Sequence, residues 1–242
     1  MNEENQVYFI DSDELPAKAL ERKNKLEQDP SSRTNHMEYM PGMQVIASDI
    51  KDKVLEAMEN YDYDSYTASD VQRALSNASC SIEDFKALLS PAAAPFLEQM
   101  ARKAEEITKN HFGNTVYIFT PLYIANYCQN YCVYCGFNCY NKIHRKKLTF
   151  EEMEHEMQVI ARTGMEEILI LTGESRTYSD VEYIGEAVKI AKKYFRNIGI
   201  EIYPVNEDEY RYLHECGVDY VTVFQETYNA DKYETLHLLG HK

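Results

Sequence analysis

Three cysteines, Cys128, Cys132 and Cys135, fall within the eight-residue stretch CQNYCVYC, spaced C-x3-C-x2-C. Thiolates are soft ligands, suited to zinc, copper(I) and iron–sulfur centres. Of the six cysteines in the chain, these three and Cys139 crowd into residues 128–139, while Cys80 and Cys216 stand apart. That distribution reads as a local metal site and not as a disulfide framework. A structural zinc ion takes four ligands, commonly as two pairs separated by about a dozen residues or more. One tetrahedral zinc on this evenly crowded stretch is possible but unattractive. Three thiolates on one tight loop would instead leave one iron of a [4Fe–4S] cubane without a protein ligand. An open coordination position is what a metal centre needs to do chemistry. Cys139 lies outside the triplet and reads as a bystander. Cys80 and Cys216 fall in helical segments and read as packed thiols.

The elements that must hold this loop are legible around it. From residue 114 the chain alternates strand and helix patterns. The strands are TVYIFTPLYIAN (115–126), EEILILTGE (166–174), IGIEIYPV (198–205) and DYVTVFQET (219–227). Between them, Thr149 with Glu152, Ser179 with Glu182, and Asn206 with Glu209 have the spacing that caps a helix start. NADKYETLHLLG, after the fourth strand, reads as a further helix start. Such units imply parallel strands with helical crossovers. The cysteine loop follows the first strand at its carboxyl end, the active face of a βα barrel. Glu174 ends the second strand, and Gln225 and Glu226 end the fourth, on that same face. Residues 1–113 are expected to be mostly helical, with Ser48, Thr67 or Ser69, Ser81 and Ser90-Pro91 marking helix starts. The stretches 28–43 and 60–70 read as loops. The tyrosines of YDYDSY read as surface packing.

A closed barrel of eight βα units takes ~250 residues. About half that length follows residue 114, and the sequence stops inside a βα pattern at LLGHK. The expected fold class is therefore α/β: a partial (β/α) barrel of four units over residues 114–242, behind a helical region over residues 1–113.

The chain has 242 residues, 44% of them apolar, a net charge of −15 and a pI of about 4.9. So acidic a balance argues against a nucleic-acid or anionic-membrane surface, either of which wants a basic stripe. The first residues, MNEENQVYFIDSDELP, lack the basic and apolar regions of a signal peptide. No apolar run approaches the ~20 residues of a membrane span. The expected location is the cytoplasm, where thiols stay reduced. KIHRKK (142–147) is the one basic island in the region, and its default reading is a solvated lead-in to a helix.

The cysteine loop after a first strand resembles the signature of the radical S-adenosylmethionine superfamily. Further features fall into register with that resemblance. Tyr134 is the aromatic residue before the third cysteine. Thr172-Gly173-Glu174 stands where the superfamily carries a motif that receives the cofactor's amino group. Gln225 and Glu226 stand where related enzymes place ribose-binding side chains. The resemblance implies a [4Fe–4S] cluster on Cys128, Cys132 and Cys135, with S-adenosyl-L-methionine on its open iron, contacted by Tyr134, Glu174, Gln225 and Glu226. Over residues 50–242, and most specifically over 118–150, the chain looks like the tyrosine lyases of thiamine biosynthesis, the 2-iminoacetate synthase family. CGF and LTGES fit that family better than the tyrosine-cleaving maturases of [FeFe]-hydrogenase. The resemblance implies cleavage of the tyrosine Cα–Cβ bond to dehydroglycine and p-cresol. It also implies an electron donor such as flavodoxin or ferredoxin, and thiazole synthase as a pathway partner. The residues that grip tyrosine are expected on later strands, beyond Lys242.

Overall fold

The computed structural model describes residues 42–239, together with Glu21, Asn24 and Gln28 in helical conformation. The acidic N-terminus, most of the turn-rich stretch 28–43 and the last three residues lie outside the described part. Contacts divide the chain into a helical unit, residues 46–117, and an α/β unit comprising residues 118–239 with 42–45. Among the described residues no helix is long and apolar enough to cross a membrane.

The helical unit contains α1 (Ile50–Glu59), α2 (Ala68–Ser76), α3 (Ile82–Leu89) and α4 (Leu97–Phe112). Thr67 with Asp70, and Ser81 with Asp84, form the capping boxes that start α2 and α3. Asp49, not Ser48, is the cap position of α1, although the Ser48 hydroxyl accepts the Ile50 amide at 3.2 Å. The last helix does not open at Pro91. Residues Pro91–Phe96 form a 3-10 segment that contains Pro95. A second proline removes another N–H donor, so regular α-helix begins only at Leu97. Val71, Ala93 and Phe96 make a small core of their own.

The α/β unit is built on four parallel strands: β1 (Phe119–Ala125), β3 (Glu167–Thr172), β4 (Asn197–Glu201) and β5 (Tyr220–Thr222), side by side in that order. Three helices connect them, α5 (Phe150–Arg162), α6 (Val181–Ala191) and α7 (Glu207–Cys216). This is the expected α/β alternation. Ile124, Ile168, Ile170, Ile198 and Ile200 turn to one face of the sheet and are fully buried against the helices, with Met153, Met157, Ile184, Val188 and Leu213. Alternate residues of the same strands point to the opposite face. That face carries Phe119 and Tyr123, both about half exposed.

Several boundaries move. The first strand begins at Phe119 and not at Thr115, because β3 supplies partners only from Glu167, the partner of Phe119. Helix α6 is capped by Asp180, which accepts the Tyr183 amide at 2.8 Å. Ser179 is instead buried, 3.0 Å from the Ser175 carbonyl. The fourth strand is short: only Tyr220–Thr222 pair with β4, and residues 223–227 leave the sheet. After helix α8 (Ala230–Leu236), the LHLL stretch does not continue the helix. His237–Leu239 form strand β6, antiparallel to a two-residue strand β2 (Tyr131–Cys132) inside the cysteine loop.

Candidate active site

The loop that carries the cysteines leaves β1 at Ala125 and runs across the carboxyl ends of β1 and β3. The Gly173 amide donates to the Ala125 carbonyl at 2.9 Å, and the Gln129 amide to the Glu174 carbonyl at 2.9 Å. This close approach needs glycine at 173. A Cβ there would lie 2.8 Å from the carbonyl carbon of Tyr127 and meet its oxygen still sooner.

Side chains other than cysteine fix the loop's course. Asn130, Asn138 and Asn141 are buried. Asn138 Oδ1 accepts the amides of Tyr140 (3.0 Å) and Asn141 (3.1 Å), while Asn141 Nδ2 donates to the Gly136 carbonyl at 3.1 Å. Arg145 reaches back from beyond the loop. Its guanidinium donates to the carbonyls of Asn126 (2.5 Å), Phe137 (2.9 Å), Asn138 (2.5 Å) and Asn141 (3.4 Å). From the other side β6 pairs with Tyr131 and Cys132, and the Val133 amide donates to the Leu236 carbonyl at 2.9 Å. His237 Nδ1 lies 2.9 Å from the Tyr233 carbonyl, which can only accept, so Nδ1 carries the proton. Its Nε2 then accepts the Tyr134 hydroxyl at 2.6 Å.

So held, Cys128, Cys132 and Cys135 line one cleft of about 250 Å³. Cys132 is buried and the other two are half-buried. Burial pushes the Cys128 thiol up, against the lowering effect of hydrogen bonds from the Asn130 and Glu174 amides. A metal that binds there must displace the proton. Cys139 is exposed and does not line the cleft. Among the described residues no three Cys, His, Asp or Glu side chains gather closely enough for a single metal ion. A tetrahedral zinc would need its sulfurs about 3.8 Å apart, given Zn–S bonds of about 2.3 Å. A cubane spreads its ligands over separate irons and does not ask for that convergence, so the donor set fits the cluster better than the ion.

The rest of the cleft lining includes acids and aromatic rings. Glu174, Glu201, Tyr123, Tyr203, Phe224 and Gln225 belong to it, and among the described residues no lysine, arginine or histidine does. Glu174 is oriented by Asn130, whose Nδ2 donates to Oε2 at 2.6 Å. Thr172 also lines the cleft, and its Oγ1 is buried with no protein partner. Of the residues singled out in sequence, Glu174 and Gln225 therefore stand on the cleft wall with the three cysteines. Tyr134 and Glu226 stand outside the lining but close together. Burial, followed by the charges of Cys132 and Glu226, raises the Tyr134 hydroxyl far above its ordinary range. Arg145, the three asparagines, His237 and Glu201 went unread. Arg145 lay within the basic island, but its inward course is not written in local sequence.

Residues 122–241 match the family model of the radical SAM superfamily. The chain is 40% identical over 176 residues to 2-iminoacetate synthase of Salmonella typhimurium, covering 73% of this chain and 47% of that enzyme. It is 30% identical over 158 residues to 3-methylornithine synthase of Methanosarcina barkeri, covering 64% of this chain and 45% of that one. Among solved structures, that of HydG, a maturase of the [FeFe]-hydrogenase, superposes with a TM-score of 0.70 at 28% identity. The match covers 81% of this chain and 46% of HydG. The chain thus spans about half the length of the curated relatives it matches.

Proposed function

Because this chain belongs to the radical SAM superfamily, whose members use a [4Fe–4S] cluster and S-adenosyl-L-methionine, we propose that it carries the cluster and cofactor half of a lyase that cleaves the Cα–Cβ bond of tyrosine to 2-iminoacetate (dehydroglycine) and p-cresol. The observation that carries this reading is the cleft itself, in which three thiols face a fixed carboxylate. Cys128, Cys132 and Cys135 hold the cluster. Glu174, held by Asn130, receives the ammonium group of the cofactor, and Gln225 contacts its ribose. Tyr134 and Glu226 support the loop and the cofactor edge from outside the cleft. A lining that carries the carboxylates of Glu174 and Glu201 suits a ligand that bears a sulfonium and an ammonium. When bound, the cluster and cofactor supply a one-electron cleavage of the sulfonium that starts radical chemistry. The protein's part is to orient the ligand, with Leu171, Val223 and Phe224 as apolar surface beside it. The 40% identity to 2-iminoacetate synthase supports tyrosine cleavage in the service of thiazole formation. In that role it works in the cytoplasm, with flavodoxin or ferredoxin as electron donor and thiazole synthase downstream.

Anaerobic reconstitution with iron and sulfide tests the cluster; about four of each per chain are expected. One zinc and no sulfide would sink the reading. Incubation of a protein that also carries the later strands with dithionite, cofactor and tyrosine, followed by chromatography, tests the reaction through p-cresol. Cyanide or carbon monoxide among the products would select maturase chemistry instead.

A further inference from the structure

The basic stretch KIHRKK (142–147) does not line the cleft, yet it is built into the loop that carries the cysteines. Its backbone runs antiparallel past the carboxyl end of the edge strand β1. Ala125 and Lys147 form a β-bridge, the Asn126 amide donates to the Lys146 carbonyl at 3.1 Å, and the Lys146 amide donates to Asn126 Oδ1 at 2.7 Å. Asn126 Nδ2 donates in turn to the His144 carbonyl at 2.8 Å. Cys128 follows Asn126 by two residues, a reach of at most about 7 Å along the chain. Burial alternates along the stretch, as it does in extended backbone. Lys142, His144 and Lys146 are exposed, whereas Ile143 and Arg145 between them are half-buried. Arg145 is taken up by loop carbonyls, Lys146 pairs with Glu152 at 2.5 Å, and Lys147 lies 4.0 Å over the ring of Tyr183. A cationic row is thereby fixed in place beside the cysteine loop, with Lys142 at its exposed end.

The distribution of charge is uneven in the same direction. About one residue in six of the chain is Asp or Glu, but none occurs from Ile107 to Phe150. That acid-free stretch takes in β1, the whole cysteine loop and the basic residues. Four of the chain's 25 lysines and arginines, Lys142, Arg145, Lys146 and Lys147, stand within six residues of it. A net charge of −15 makes the chain as a whole repel an acidic protein. The cationic row reverses that sign locally, next to the thiols. Electron-transfer encounters bury little surface, less than about 1,200 Å², and complementary charge steers them. A short row of cations is enough for such an encounter.

We propose that the row Lys142–Lys147 is the docking surface for an acidic one-electron carrier protein. The proposal rests on reading the cleft as the cluster site. The step is a transfer of one electron: the carrier's reduced flavin or iron–sulfur centre is oxidised, and the cluster held by Cys128, Cys132 and Cys135 is reduced. No bond forms or breaks.

The experiment follows cluster reduction in the anaerobically reconstituted chain by stopped-flow absorbance. The probes are flavodoxin hydroquinone, reduced ferredoxin and reduced methyl viologen, a small cation that needs no docking surface. Lys142→Glu should lower the second-order rate constant ~fivefold or more with at least one carrier protein at low salt, and should not slow reduction by viologen. Lys142→Gln should fall between it and wild type. Arg196→Glu makes the same change in net charge at an exposed site just before β4, at the opposite end of the sheet, and should leave the rates as in wild type. Raising salt from ~0.05 to ~0.5 M shortens the Debye length from about 14 Å to about 4 Å and should slow wild type toward Lys142→Glu. Wild-type rates in Lys142→Glu with both carriers, an equal fall in Arg196→Glu, or a wild-type rate indifferent to salt would overturn the docking surface and leave the cluster reading in place. So would reduction of the wild-type cluster by viologen but by neither protein. If Lys142→Glu takes up less iron, or is slowed with viologen too, the lysine supports the loop and not a partner, and the proposal fails. A wild-type chain that takes up no cluster overturns both.

Discussion

Arg145 is expected to order the cluster loop before any metal arrives. Its guanidinium makes three short bonds, to Asn126, Phe137 and Asn138, and a longer one to Asn141, so it ties the start of the loop to its end. A hydrogen bond from a charged donor contributes about 1.5–3 kcal/mol, less where water competes. The side chain is half-buried, so taking the low end for the three short bonds gives about 4.5 kcal/mol acting on one loop. That is comparable with the ~5–15 kcal/mol of a whole domain. Yet the carbonyls that Arg145 binds belong to Asn126, Phe137, Asn138 and Asn141, none of them a residue of the sheet core. Arg145→Ala should therefore melt the loop locally and leave the sheet folded. Lysine offers a point charge in place of a planar fork and should restore only part of the effect. The assay is hydrogen exchange on the metal-free protein. Amides of Gln129, Cys135, Cys139 and Asn141 should lose ~100-fold or more of their protection, while those of Ile168–Leu171 keep theirs. Iron incorporation on reconstitution should fall in parallel. Wild-type loop protection together with wild-type iron content in Arg145→Ala would refute the reasoning.

Cys128→Ala, Cys132→Ala and Cys135→Ala should each abolish the visible absorbance and the reduced-state EPR signal of the reconstituted cluster, whereas Cys139→Ala should keep both; the reverse pattern would overturn the ligand assignment. Gly173→Ala should push the loop off the end of β3, because its Cβ meets the Tyr127 carbonyl. A destabilisation of about 1–3 kcal/mol in urea unfolding, with lowered iron uptake, is the expected result. Glu209 is held below its ordinary carboxyl range first by the Arg176 guanidinium, with bonds of 2.5 and 3.2 Å, and further by the Asn206 amide. A depressed folded-state value means that this stabilisation is fully present above the unfolded pKa of about 4.3 and is lost as pH falls through the lower folded value. Thermal unfolding followed between pH 6 and about 2.5 should show a smaller acid-induced fall in Glu209→Gln than in wild type; identical slopes would remove the linkage.

The cysteine triplet, the strand–helix alternation and the acid at 174 were legible because each is a local pattern. Ile168 and Ile170 alternate with Leu169 and Leu171, and Thr149 with Glu152 forms the capping box that starts α5. β6 was not legible. The segment YETLHLL carries enough helix formers to read as one helix, and α8 does occupy its first part. What converts His237–Leu239 to strand is pairing with the backbone of Tyr131 and Cys132, far away in sequence. Tertiary pairing outweighs a local propensity that is weak over so short a stretch. Arg145 was obscured for a similar reason. A lysine- and arginine-rich island looks solvated by composition, and Lys146 does pair on the surface with Glu152. Its neighbour turns inward, where the carbonyls of Asn126, Phe137, Asn138 and Asn141 accept its guanidinium.

The same reasoning explains why so much of the loop is asparagine. A loop that must present three thiols satisfies little of its backbone through regular pairing: only Tyr131 and Cys132 form a strand, against β6. Its buried carbonyls and amides still need partners. Asparagine supplies both a donor and an acceptor on a short side chain, and Asn138 uses both: Oδ1 accepts from Tyr140 and Asn141, while Nδ2 donates to the Cys135 carbonyl at 3.0 Å. Asn141 adds donors to the carbonyls of Cys135 and Gly136. Asn130 faces the other way, with its carbonyl accepting the Cys139 amide and its side chain holding Glu174. One residue thereby ties the ligand loop to the carboxylate of Glu174. The spacing between cluster and carboxylate is thus set by protein hydrogen bonds and not by the ligands they are to hold.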